Sequence, residues 1–91
     1  MSVPAAAPQT TEHPHIERMP GVCGGEPKIK GTRIPVWIVA GWHALGQSVD
    51  DIVAMYPHLS AAQVHDALSY YYDHRAEVDA VRAQNAERAP R

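Results

Sequence analysis

Three cations on one glycine-rich stretch are the first residues that could do chemistry. They are Lys28, Lys30 and Arg33 in GVCGGEPKIKGTRIPV, from Gly21 to Val36. Together with Thr32 they could meet phosphate groups, because such contacts position a protein on nucleic acid without reading its sequence. The alternative for Arg33 is a salt bridge to a carboxylate such as Asp50 or Asp51. The glycines are not a nucleotide-hydrolysing loop, since no Gly-x-x-x-x-Gly-Lys-Ser/Thr string is present. Cys23 is the only cysteine, which excludes an internal disulfide and a Cys-rich zinc site. No His or carboxylate pairs with it from sequence, so it reads as a small buried residue. His13-Pro14-His15 offers two metal donors with no evident third, and reads as polar linker. No spacing resembles a catalytic pair or a ligand set. No enzyme activity, catalytic residue, metal or cofactor is expected.

Charge qualifies a nucleic-acid role. The chain of 91 residues carries a formal charge of −2 with six histidines, which is not the balance of a protein that grips DNA by bulk electrostatics. Its distribution is uneven. From Arg18 to Arg33, four cations face one anion, a net +3. From Asp50 to Asp79, six carboxylates face Arg75 alone, a net −5. The two halves could attract each other in a dimer or face different partners. No apolar run approaches the roughly 18 residues of a membrane span, and no basic-then-apolar leader opens the chain. A cytoplasmic protein without membrane contact is expected.

The elements that must position these residues are short. Ser48 caps a helix with Asp51 at the capping-box position, and Val49, Ile52, Val53 and Tyr56 form its apolar stripe. Pro57 stops it. Ser60 caps a second helix with Gln63, and Val64, Ala67, Leu68, Tyr71 and Arg75 form the next stripe. Two capped helices around a three-residue turn outline a helix-turn-helix, or an ordinary helical hairpin in a small bundle. The second helix is expected to run on past Tyr72, because neither Gly nor Pro interrupts it before Pro90. Upstream, Pro35 starts a helix over Val36–Leu45 that is apolar nearly all round, hence buried on most sides, and Gly46 ends it. His43 on it is expected to be hydrogen-bonded at the core or its boundary.

Before the helices, Ile16–Met19 and the edge strand Pro27-Lys28-Ile29 predict a β-hairpin. Residues 1–15, rich in Pro, Ala and Thr, read as a disordered arm. So short a foldable region buries only about 60% of its chain surface. Two Trp, four Tyr and the open strand edges therefore predict a homodimer. The fold class is mainly α: a short N-terminal hairpin, then three helices.

The string Gly24-Gly25-x-Pro27-x-Ile29-x-Gly31-Thr32-Arg33-Ile34-Pro35-Val36 resembles the hallmark of a widespread prokaryotic family catalogued as a domain of unknown function. That family is treated as antitoxin-like, of the VapB type. Ile52, Tyr56-Pro57, Leu59, Val64, Ala67-Leu68 and Tyr70-Tyr71 extend the likeness, which covers about Ile16 to Val78. The resemblance implies a homeodomain-like helix-turn-helix domain over 16–78, with a helical or disordered tail over 79–91. It implies neutralisation of a PIN-like ribonuclease toxin and binding of the protein's own promoter DNA. Lys28, Lys30, Thr32, Arg33 and Gln63 are then the DNA contacts, since Gln can read adenine. Arg75, Val78, Val81 and Arg82 are the toxin contacts. The alternative is a protein-interaction adaptor that binds no DNA, which the acidic helical half favours.

Overall fold

A three-stranded antiparallel sheet starts the chain in the computed structural model, which describes residues 8–21 and 25–88. Strands β1 (Gln9–Thr10), β2 (Ile16–Arg18) and β3 (Pro27–Ile29) lie in the order β1-β2-β3. Ile16 pairs with Ile29, and Gln9 with Arg18. The expected hairpin is therefore β2–β3, with one further strand. That strand corrects the reading of 1–15 as a disordered arm. Gln9–Thr10 is paired, His13 is buried, and Thr11 Oγ1 accepts from the His13 N–H at 3.1 Å. Residues 1–7 of the arm, and Cys23, lie outside the described residues.

The Gly-Thr-Arg-Ile-Pro string folds into a tight turn after β3. Gly31 takes φ +78°, which side chains resist. The Thr32 hydroxyl donates to Ile29 O at 2.8 Å and accepts from Ile34 N–H at 3.0 Å. Pro35 returns to bridge Lys28, so the strand edge that the sequence left open for a second copy is partly closed by the chain itself. Inside the turn, Lys28 Nζ donates to Glu17 Oε2 and to Thr32 O, both at 2.7 Å. Lys28 and Glu17 are only 3% and 5% exposed, so this is a buried ion pair joining β2 to β3.

Four helices follow: α1 (Val36–Ala44), α2 (Val49–Met55), α3 (Ala61–Asp73) and α4 (Arg75–Arg88). Both capping boxes form with reciprocal hydrogen bonds, Ser48 with Asp51 and Ser60 with Gln63. Helix α1 ends in a Schellman arrangement. Gly46, at φ +90°, donates to His43 O, and Gln47 donates to Trp42 O. The core gathers Ile16, Ile29, Val36, Val39, Ile52, Leu59, Val64, Tyr70 and Val78 from every layer. Ile52, Val64 and Ala67 of the expected stripes are fully buried, and Tyr70, outside the stripe, is buried with them.

One helix boundary is missed by sequence. The segment from Ala61 onward is not continuous, because His74 breaks it at φ −133°, ψ 44°. No Gly or Pro is involved. The His74 ring stacks on Tyr70, with centroids 4.2 Å apart, and its Nε2 sits 2.6 Å from Glu12 Oε2. These tertiary contacts favour the break, and α4 then turns to lie along α1. Val78 is carried into the core, 2% exposed.

The ion pair sets an expectation. Replacing Glu17 by Ala strands Lys28 as a buried, unpaired cation and should cost about 3 kcal/mol in urea unfolding. The double change Glu17→Ala with Lys28→Met should recover most of that loss. The Lys28 hydrogen bond holds the Glu17 carboxyl below the usual carboxylate range, against the opposing effect of burial. Its stabilisation is therefore complete above the ordinary Glu value of about 4.3 and lost as pH falls through the depressed one. Acid unfolding curves of the wild type should contain that component, and those of the double variant should not.

Candidate functional site

Two surfaces carry the chemistry. The first is an open groove of about 890 Å³ between α1, α4 and the C-terminal end of α3. Because α1 is apolar nearly all round, the face turned away from the core stays apolar. Trp37, Ile38, Trp42 and Leu45 of α1 line the groove, with Tyr56, Tyr71, Ala83 and Ala86 opposite. Leu45 is 72% exposed at its end. Trp42 Nε1 donates to Tyr56 Oη at 3.1 Å, so the indole is fixed. On the rim, Arg75 lies over the Tyr71 and Tyr72 rings, 5.6 and 5.7 Å from their centroids. It has no carboxylate partner among the described residues. Arg82 reaches Asp79 at 3.4 Å, and Asp79 accepts from the Tyr71 hydroxyl at 2.9 Å.

The second surface is a polar cluster that joins the N-terminal segment to α3 and α4. His13 Nδ1 lies 3.0 Å from Asp66 Oδ1, and its Nε2 lies 2.7 Å from Asp73 Oδ2. Burial opposes charging this imidazole, but its hydrogen bonds to the Asp66 and Asp73 carboxylates outweigh it and raise its pKa. Asp66 also accepts the His15 N–H at 2.7 Å. Beside it, Arg18 pairs with Glu77 and donates to Tyr70 Oη at 3.0 Å. The Tyr70 hydroxyl in turn donates to Glu77 at 3.2 Å. Burial pushes the Tyr70 phenol up, and the nearby Glu77 charge adds to it.

The residues expected to bind DNA separate in the structure. Lys28 is consumed by Glu17 and buried, which corrects its assignment as a phosphate contact. Thr32 spends its hydroxyl inside the turn. Gln63 gives its carbonyl oxygen to the Ser60 cap at 2.7 Å. Only Lys30 and Arg33 of the set are exposed. Of the expected toxin contacts, Arg75 and Arg82 meet at the groove, whereas Val81 is half-buried outside its lining. Val78 is corrected from contact to core, because the break at His74 turns it inward. His43 is hydrogen-bonded as expected, 2.6 Å from Tyr72 Oη.

With this geometry in view, the comparisons fall into place. A family model described as "Protein of unknown function (DUF433)" matches residues 16–71. The chain belongs to DUF433. A crystal structure of a DUF433 member protein from Anabaena variabilis is similar at a TM-score of 0.72 and 36% identity. The match covers 76% of this chain and 68% of that one. An uncharacterised protein of Sinorhizobium fredii, y4eO, is 39% identical over 55 residues, 60% of this chain. The chain spans about a quarter of that relative's length, 25%. The DUF433 match begins at β2 and ends within α3. Glu12, His13, Asp73 and all of α4 lie outside the matched residues.

Sequence reasoning missed the polar cluster for one reason. The H-x-H spacing sets His13 beside His15, whereas its partners Asp66 and Asp73 lie 53 and 60 residues away. The opposite charges of the two halves were the available signal, and they meet within a single chain. Changing Asp66 to Ala removes acceptors from both His13 and the His15 N–H. It should cost about 2 kcal/mol, because buried donors left unpaired cost about 1–3 kcal/mol. Thermal unfolding of the variant at neutral pH measures this.

Proposed function

We propose that this DUF433 chain is a non-enzymatic protein-binding module, antitoxin-like in the sense that its Gly-Thr-Arg-Ile-Pro string suggests. In this reading it captures a partner protein, a PIN-like ribonuclease toxin, in the groove between α1 and α4. The observation that supports it is the pairing of an apolar, aromatic floor with an arginine that meets no carboxylate among the described residues. Arg75 is instead held over Tyr71 and Tyr72. Stacked Arg and fixed aromatics are the residue types that anchor interfaces. The reading implies a cytoplasmic protein. No helix among the described residues is long and apolar enough to cross a membrane.

Binding to the protein's own promoter is the second reading. It treats α2, the turn and α3 as a homeodomain-like helix-turn-helix in a dimer, and the exposure of Lys30 and Arg33 favours it. The N-terminal half of α3 argues against it. That surface would enter the major groove, yet it carries no Lys or Arg from Ala61 to His74, and its Asp66 is committed to His13. Two phosphate contacts per chain, four in the dimer, would give a salt slope of only about −4.

Co-expression with the product of the adjacent reading frame tests the first reading. Ile38→Asp and Arg75→Glu should each weaken the purified complex at least tenfold, about 1.4 kcal/mol or more. A complex unchanged by both substitutions would remove the groove from consideration. Gel shifts on the upstream DNA at low salt should show no complex with the chain alone. A shift abolished by Lys30→Ala with Arg33→Ala would favour the promoter reading instead.

A further inference from the structure

We propose that Glu12, His13 and Asp73 form a binding site for a divalent transition-metal ion, with zinc the best fit. The site would fasten the N-terminal segment to the end of α3. It is independent of the groove and of what the groove binds.

The donor atoms are already gathered. One ligand atom each from Glu12, His13 and Asp73 lies within 4.8 Å of the others. Around a tetrahedral ion with bonds of about 2.0–2.2 Å, donors stand roughly 3.4 Å apart. His13 Nε2 and Asp73 Oδ2, now 2.7 Å apart, must open by less than 1 Å. Glu12 must close in. Both carboxylates can make these shifts, because the Glu12 and Asp73 side chains are 56% and 58% exposed. His13 cannot move as freely, with a side chain 10% exposed, and it is the fixed point of the set.

Behind that fixed point stands a carboxylate. Asp66 engages the far ring nitrogen, Nδ1, and is itself anchored by the His15 N–H. A carboxylate on Nδ1 holds the tautomer that turns the Nε2 lone pair toward an ion, and such partners orient metal-binding histidines generally. His74 Nε2, 2.6 Å from Glu12 Oε2, stands beside the site as a further imidazole. Imidazole with carboxylate suits zinc and its neighbours better than calcium or magnesium, which prefer oxygen alone.

Charge balance favours an ion as well. Glu12, Asp66, Asp73 and Glu77 crowd around one permanent cation, Arg18, and Arg18 pairs with Glu77. Among the described residues, Glu12, Asp66 and Asp73 form ion pairs only with the His13 and His74 imidazoles. With both rings neutral, those three carboxylates carry −3. A divalent ion at Nε2 offsets two of those charges and draws in Glu12.

The test uses the full chain, purified with chelator, dialysed and titrated with zinc chloride by calorimetry. One ion per chain is expected, with a rise in Tm on loading. Asp73→Asn and Glu12→Gln alter exposed side chains and should leave the far-UV circular dichroism unchanged. Each should weaken zinc binding at least tenfold, while Cys23→Ser leaves it as in the wild type. The assignment is overturned by the absence of stoichiometric uptake. It is equally overturned if the double variant Glu12→Gln, Asp73→Asn binds as tightly as the wild type, which would put the ion elsewhere.

Discussion

The ion pair between Glu17 and Lys28 is the constraint on which the rest of this fold depends. Two charges withdrawn from water are tolerable only when each finds close partners. Lys28 finds Glu17 and the Thr32 carbonyl, and Glu17 also receives the Gly31 N–H at 3.3 Å. Satisfying both ends requires β3 to turn back on itself immediately after Ile29. That turn needs a positive φ at Gly31 and delivers Pro35 against Lys28, where α1 starts. Ile16, Ile29 and Val36 are thereby placed together in the core. The motif that looks most functional in the sequence is, in its local chemistry, a cover over a buried charge pair.

The same logic joins the two ends of the chain. A basic first half and an acidic second half could have met across two molecules, but Arg18 with Glu77, and His13 with Asp66 and Asp73, satisfy much of that complementarity internally. These contacts hold the N-terminal segment on α3 and stack His74 on Tyr70. The helix breaks there, so α4 folds beside α1 instead of projecting away. The groove is a consequence of that break. A continuous helix would have left the apolar outer face of α1 without an opposing wall.

Function follows from which polar groups remain after the fold is satisfied. Lys28, Thr32 and Gln63 are spent on structure, which takes one of the three expected cations and occupies the side-chain oxygen of the expected base reader. Arg75 keeps its aromatic contacts and, among the described residues, pairs with no carboxylate. The membership in DUF433 fits the region from β2 to α3 and is silent on α4.

Short-range chemistry was legible without coordinates. Both capping boxes, the Gly46 stop and the apolar stripes of α2 and α3 each depend on residues within a few positions of one another, and the β2–β3 hairpin pairs residues no more than 13 apart. The local sequence therefore determined them. What tertiary structure alone decided is where side chains spend their polar atoms. Asp66 lies 53 residues from His13, Asp73 lies 60 from His13, and Glu12 lies 62 from His74. Such partners become neighbours only once the sheet packs on α3. For that reason β1 pairs in a segment without apolar periodicity, Val78 becomes core, and a helix stops where no helix-breaking residue stands.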